Sequence, residues 1–156
     1  DAYRWLREKK GIAAGDMIAF GKSLGGPIAA KLAGERKTAG LVLENTFTNC
    51  ADMAGRLFPF FPGRYFTRFS YSTIEYIEKV KCPVLIFHSK NDELVPYEFG
   101  RRIYEKAGWP KEFVDLKGEH NEAFLESEVK YVHSWREWIG SLEKSDRSDP
   151  QKSEDF

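Results

Sequence analysis

The sequence predicts an α/β protein with four mainly parallel strands and flanking helices. Three observations carry this. Apolar runs of strand length recur at 17–20, Gly40–Glu44, 83–88 and 112–116. Segments with helical spacing separate most of these runs. Three of the runs end in a turn or loop that holds a Ser, an Asp or a His, at the edge where reacting groups gather in open α/β sheets.

The elements follow in order. Residues 1–10 are predicted as a helix with Ala2, Trp5 and Leu6 on one side, and Gly11 suits its C-terminal cap. Met17-Ile18-Ala19-Phe20 is the first strand, and Pro27-Ile28-Ala29-Ala30-Lys31-Leu32-Ala33 the helix after it. Gly40-Leu41-Val42-Leu43-Glu44 is the second strand. Residues 45–81 show no strand signal; they hold Phe58-Pro59-Phe60-Phe61-Pro62-Gly63, where proline and glycine break any long helix. Residues 83–89 read as a buried parallel strand. The helix at 97–107 places Phe99, Ile103 and Ala107 on one side and ends at Gly108 and Pro110. The fourth strand spans 112–116. The last helix, at 126–143, sets Val129, Val132, Trp135, Ile139 and Leu142 on one face. One domain is expected over 1–144, and the polar residues 145–156 are expected to be a disordered tail.

Composition removes several function classes. With 24 basic and 24 acidic residues the net charge is zero, so no nucleic-acid partner is implied. The two cysteines, Cys50 and Cys82, suggest neither a metal site nor a disulfide framework, and they are expected to act as small apolar residues. No apolar run is long enough to span a membrane.

The motif Gly21-Lys22-Ser23-Leu24-Gly25-Gly26 lies between a strand and a helix. Strand, sharp turn and helix with Ser at the apex make a nucleophile elbow. The turn strains the Ser backbone, and a side chain at the neighbouring glycines would clash. The competing reading is a Gly-rich turn that binds nothing, or binds phosphate at the helix N-terminus. Two later segments favour the elbow. Asp92 lies in the loop after 83–89, and His120 in the loop after 112–116. The chain order Ser, Asp, His is that of one of the three known triad arrangements. A Ser hydroxyl needs a base to take its proton. His120 can serve, because an imidazole titrates near neutrality. Asp92 would hold its tautomer and stabilise the imidazolium. The Leu24 N–H would supply one oxyanion donor. His88 is expected to support the acid loop, His133 to lie on the surface, Asp115 to alternate within its strand and Glu119 to face solvent.

These residues carry a family resemblance. The chain resembles the α/β-hydrolases, in particular the Bem46/ABHD13/ABHD17-like serine hydrolases. It does so through Gly21 to Gly26, Leu43-Glu44-Asn45-Thr46-Phe47, residues 84–96 and Gly118-Glu119-His120-Asn121. His88-Ser89 departs from the family's usual His-Gly. The resemblance implies that the nucleophile follows the fifth strand. The chain is therefore expected to be the C-terminal half of such a hydrolase, the alternative being a natural minimal variant. The loop giving the second oxyanion donor would lie in the missing N-terminal half. The resemblance also makes 45–81 a lid. Its aromatics, among them Phe47, Phe58, Phe60 and Phe61, either line an acyl pocket or cover the core. Glu44 becomes a rival to Asp92, since some hydrolases take their acid there.

The expected activity is hydrolysis of an ester or thioester through an acyl-Ser23 intermediate, with no metal or organic cofactor. The substrate would be a small molecule or an acylated protein. Membrane association of the full-length protein stays open, as does a cytoplasmic location. A serine peptidase and a non-catalytic hydrolase-like binding module are the alternatives. The bare edge left by the absent strands is expected to favour self-association and weak activity.

Overall fold

The computed structural model describes residues 2–57 and 71–147. In it β1 (Ile18–Lys22), β2 (Gly40–Glu44), β3 (Val84–Ser89) and β4 (Lys111–Leu116) pair in chain order in one four-stranded sheet. Every neighbouring pair is parallel. Parallel neighbours need crossovers. α2 (Gly25–Glu35) joins β1 to β2, and α5 (Tyr97–Lys106) joins β3 to β4. The connection from β2 to β3 contains α3 (Cys50–Leu57) and α4 (Thr73–Ile77). α1 (Ala2–Lys10) precedes the sheet, while α6 (Ala123–Glu126) and α7 (Glu128–Arg147) follow it.

β2 and β3 are buried along their whole length, which is why their sequences are continuous apolar runs. Alternation still sorts their side chains between two faces. On one face Leu41, Leu43, Val84 and Ile86 pack with Ala30, Ile77 and Ile103. On the other, Val42, Leu85 and Phe87 pack with Val114, Leu116 and Trp138. The parallel register sets Lys22 beside Glu44, Glu44 beside Phe87, and Ser89 beside Leu116. The carboxyl ends of all four strands are thus brought to one edge.

Three expectations change. The nucleophile strand runs to Lys22 rather than ending at Phe20, because Gly21 and Lys22 still pair with Leu43 and Glu44. Part of 45–81 belongs to the main core, since Ile77 and Val80 are buried against α2 and β2. Along α7 Trp138 is buried and Tyr131, Trp135 and Leu142 pack half-buried against the core; Trp135 and Leu142 hold from the expected face, whereas Val129 is 86% exposed and Ile139 faces outward. The cause is Gly40: a Cβ there would lie 2.4 Å from the Trp138 ring, so its absence leaves the space that this indole fills. The helix also continues to Arg147, past the expected end at Glu143. Phe58, Phe60 and Phe61, and residues 148–156 of the expected tail, lie outside the described residues.

Candidate active site

Ser23 follows β1 directly and adopts φ 49, left-handed backbone that non-glycine residues seldom occupy. Such a conformation costs about 1–3 kcal/mol and persists only when the surroundings enforce it. Here they do. The Ser23 N–H donates to the Glu44 carbonyl at 2.8 Å, and the Ser23 carbonyl accepts from Gly26 N–H at 3.0 Å and from Thr46 Oγ1 at 2.7 Å. The glycines divide unevenly. A Cβ on Gly21 would lie 2.4 Å from the Gly25 carbonyl oxygen, and one on Gly26 would lie 1.9 Å from Thr46 Oγ1. A Cβ on Gly25 would meet nothing within 4 Å. The expected clash therefore holds at Gly21 and not at Gly25; Gly26 takes that role, because Thr46 closes over α2. Leu24 is the N-cap of α2, where first-turn N–H groups lack helical partners.

Asp92 and His120 meet directly. His120 Nδ1 donates to Asp92 Oδ2 at 2.7 Å, and the aspartate side chain is fully buried. Asp92 Oδ1 also accepts Leu94 N–H at 2.9 Å and Val95 N–H at 2.7 Å, so its loop folds around the carboxylate. With Nδ1 carrying its proton toward Asp92, Nε2 is left as the acceptor nitrogen. Among the described residues no hydrogen bond joins Ser23 Oγ to the His120 ring. Ser23 and His120 approach through their neighbours: Lys22 Nζ reaches the Asn121 carbonyl at 3.4 Å.

Glu44 is not the partner of His120. It is buried, accepts the Tyr131 hydroxyl at 2.7 Å, and pairs with Lys22 at 3.2 Å. Burial first, then the bond to Glu44, pushes the Tyr131 hydroxyl up to about 12. His88 is fully buried and donates from Nε2 to the Val95 carbonyl at 3.0 Å, tying β3 to the acid loop. Burial lowers its pKa. Asp115 pairs with Lys90 at 2.7 Å, and Glu119 and His133 are exposed. Phe47 is buried at 6% exposure. Cys50 and Cys82 are half-buried thiols, and burial raises the pKa of Cys82. Among the described residues no group of three or more His, Cys, Asp or Glu could hold a metal ion, and no helix is long and apolar enough to cross a membrane.

The sequence reading singled out neither Asn45, Ser89 nor Glu93 as functional, although all three touch the two loops. Their signal was available in part, because Asn45 and Ser89 are polar residues at the carboxyl ends of apolar strands.

No family model matches the chain. A monoacylglycerol lipase from Paleococcus ferrophilus superposes with a TM-score of 0.64 at 22% identity, over 90% of this chain and 73% of that one. The chain has the α/β-hydrolase fold. Among curated relatives, the chain is 33% identical to the alpha/beta hydrolase domain-containing protein WAV2 of Arabidopsis thaliana, over 89% of this chain and 50% of that protein. It is 29% identical to lysophosphatidylserine lipase ABHD12 of Macaca fascicularis, over 74% of this chain and 33% of that protein. The chain thus spans half or less of the length of these relatives.

Proposed function

We propose that the protein is a serine hydrolase that cleaves a carboxylic ester or thioester through an acyl-Ser23 intermediate. The observation that carries this reading is the buried Asp92–His120 pair, which leaves Nε2 as the accepting nitrogen, together with a strained Ser23 after β1, on the same carboxyl edge of the sheet. In the proposed reaction His120 Nε2 takes the Ser23 hydroxyl proton as Oγ bonds to the carbonyl carbon. The negative charge that develops on the carbonyl oxygen is met by the Leu24 N–H. His120 then returns the proton to the leaving oxygen or sulfur as its bond to carbon breaks. Water repeats the sequence on the acyl-enzyme, with His120 as base, and frees Ser23.

Placement in the Bem46/ABHD13/ABHD17-like group is part of the proposal, supported by Leu43-Glu44-Asn45-Thr46-Phe47 at the end of β2. The part of 45–81 that does not pack into the core is proposed to form a lid over the acyl group, Phe47, Phe58, Phe60 and Phe61 being its candidate pocket aromatics. The curated relative that acts on lysophosphatidylserine supports an ester substrate class. The test is hydrolysis of p-nitrophenyl butyrate by the protein and by its Ser23→Ala variant. The expected loss is nearly complete, in line with the roughly millionfold effect of removing a triad serine. Retention of more than about a tenth of the activity would assign the chemistry to another nucleophile.

A further inference from the structure

The loop that carries His120 is tied to the rest of the molecule at its main chain, by side chains from three strand ends and from the acid loop. Lys22, the last residue of β1, reaches the Asn121 carbonyl at 3.4 Å. Asn45, directly after β2, donates from Nδ2 to the His120 carbonyl at 2.9 Å. Its Oδ1 accepts the Ser89 N–H at 2.9 Å. Ser89, the last residue of β3, donates its hydroxyl to the Gly118 carbonyl. Glu93 accepts the His120 N–H at Oε2, 2.8 Å away.

Asn45 stands out among these. It is fully buried and adopts φ 44. Asn tolerates the left-handed region better than most residues do. Both ends of its amide are engaged, so moving it would leave buried polar groups unpaired. Glu93 lies on the other side of the same residue and next to Asp92 in sequence. Its carboxyl is held below the usual range, first by the bond from the His120 N–H, so it stays in the accepting form at neutral pH.

We propose that Asn45 and Glu93 are positioning residues that grip the main chain of His120 at its C=O and N–H while Asp92 holds its ring. The inference rests on the reading of His120 as the general base. A ring held only through Nδ1 still translates when its loop moves. Fixing the N–H and C=O of the same residue removes that movement and keeps Nε2 at one point relative to Ser23. A displacement of about 1 Å at a reacting group can cost about a hundredfold in rate. Neither side chain acts on substrate, so their removal should slow the chemical step and leave binding alone.

The experiment compares Asn45→Asp, Glu93→Ala and Glu93→Gln with the unaltered protein and with Ser23→Ala, on p-nitrophenyl butyrate. Asp at position 45 keeps the backbone conformation and the acceptor for Ser89, but sets a carboxylate against the His120 carbonyl. We expect kcat to fall roughly tenfold or more, with KM within about twofold, because the loss is confined to the transition state. Glu93→Ala should lower kcat in the same way. Glu93→Gln should recover most of it, since Gln Oε1 accepts the same N–H. If Asn45→Asp folds poorly, the two Glu93 variants decide, because Glu93 is exposed. Unchanged kcat in the folded variants, or Glu93→Gln no better than Glu93→Ala, would overturn the clamp while leaving the serine reading intact. Turnover that survives Ser23→Ala would overturn both.

Discussion

Alanine at Gly26 and alanine at Gly25 should behave in opposite ways, although the two glycines adjoin. At Gly26 an added Cβ would sit 1.9 Å from Thr46 Oγ1 and 2.5 Å from Thr46 Cβ. Thr46 is 1% exposed and has no open space to enter. Its hydroxyl also holds the Ser23 carbonyl at 2.7 Å, so any retreat breaks that bond. Overpacking of this kind costs about 1–3 kcal/mol, and the lost hydrogen bond adds about 1 kcal/mol. The sum, roughly 2–4 kcal/mol, corresponds to a fall in Tm of roughly 4–16 °C for a chain of this size. At Gly25 a Cβ would meet nothing within 4 Å. Alanine is favoured over glycine in a helix by up to about 1 kcal/mol, so Gly25→Ala should be neutral or slightly stabilising. Urea denaturation of both variants at 25 °C, with the rate of fluorophosphonate labelling, reads the two effects. Equal destabilisation by the two substitutions would refute the steric account of the elbow.

Three further outcomes follow from the same geometry. Gly100→Ala should destabilise by about 1–3 kcal/mol in a denaturant titration, because its Cβ would lie 2.3 Å from Nδ1 of the buried His88 ring; unchanged stability would mean that α5 shifts freely on β3. Asp92→Asn should lower kcat by up to about four orders of magnitude on an activated ester, through the wrong His120 tautomer; a loss under about tenfold would remove Asp92 from the triad. His88 links stability to pH. Its folded pKa lies below the usual imidazole value of about 6.5, first because burial disfavours the charged form, and a proton on the buried Nδ1 would have no hydrogen-bond partner among the described residues. The unfolded chain therefore binds the proton first. Stability is full above about pH 6.5 and falls as the pH drops through the window beneath it, by at most about 1.4 kcal/mol per unit. Denaturation at pH 7 and pH 5 should show that slope, and His88→Gln should reduce it; an equal slope in the variant would place the titration elsewhere.

The site was legible wherever one residue type in one local pattern sufficed. The Gly–Lys–Ser–Leu–Gly run between a strand and a helix located a Ser that does adopt positive φ. The Asp92 loop follows a strand whose apolar continuity announces burial, the His120 loop follows an alternating strand, and those two side chains meet. What stayed hidden depends on partners distant in sequence. That Gly26 rather than Gly25 is sterically required depends on Thr46, which lies just past the end of the next strand. The buried face of α7 depends on the space over Gly40, nearly a hundred residues earlier, so helical periodicity alone turned the stripe toward Val129. Ile77 and Val80 fall in a segment read as an insertion because it shows no strand signal, yet Ile77 at the end of the short α4 and Val80 just after it reach the core. The acid at Glu44 was ambiguous in sequence and is resolved by Tyr131 and Lys22, which already bond it.

The most direct test of the central claim is covalent. Treatment of the folded protein with a fluorophosphonate, followed by peptide mass spectrometry, should place one adduct on Ser23. The adduct should disappear in Ser23→Ala and form far more slowly in His120→Ala, since the Ser hydroxyl then lacks its base. An adduct on another residue, or labelling of Ser23 that is equally fast without His120, would contradict the account.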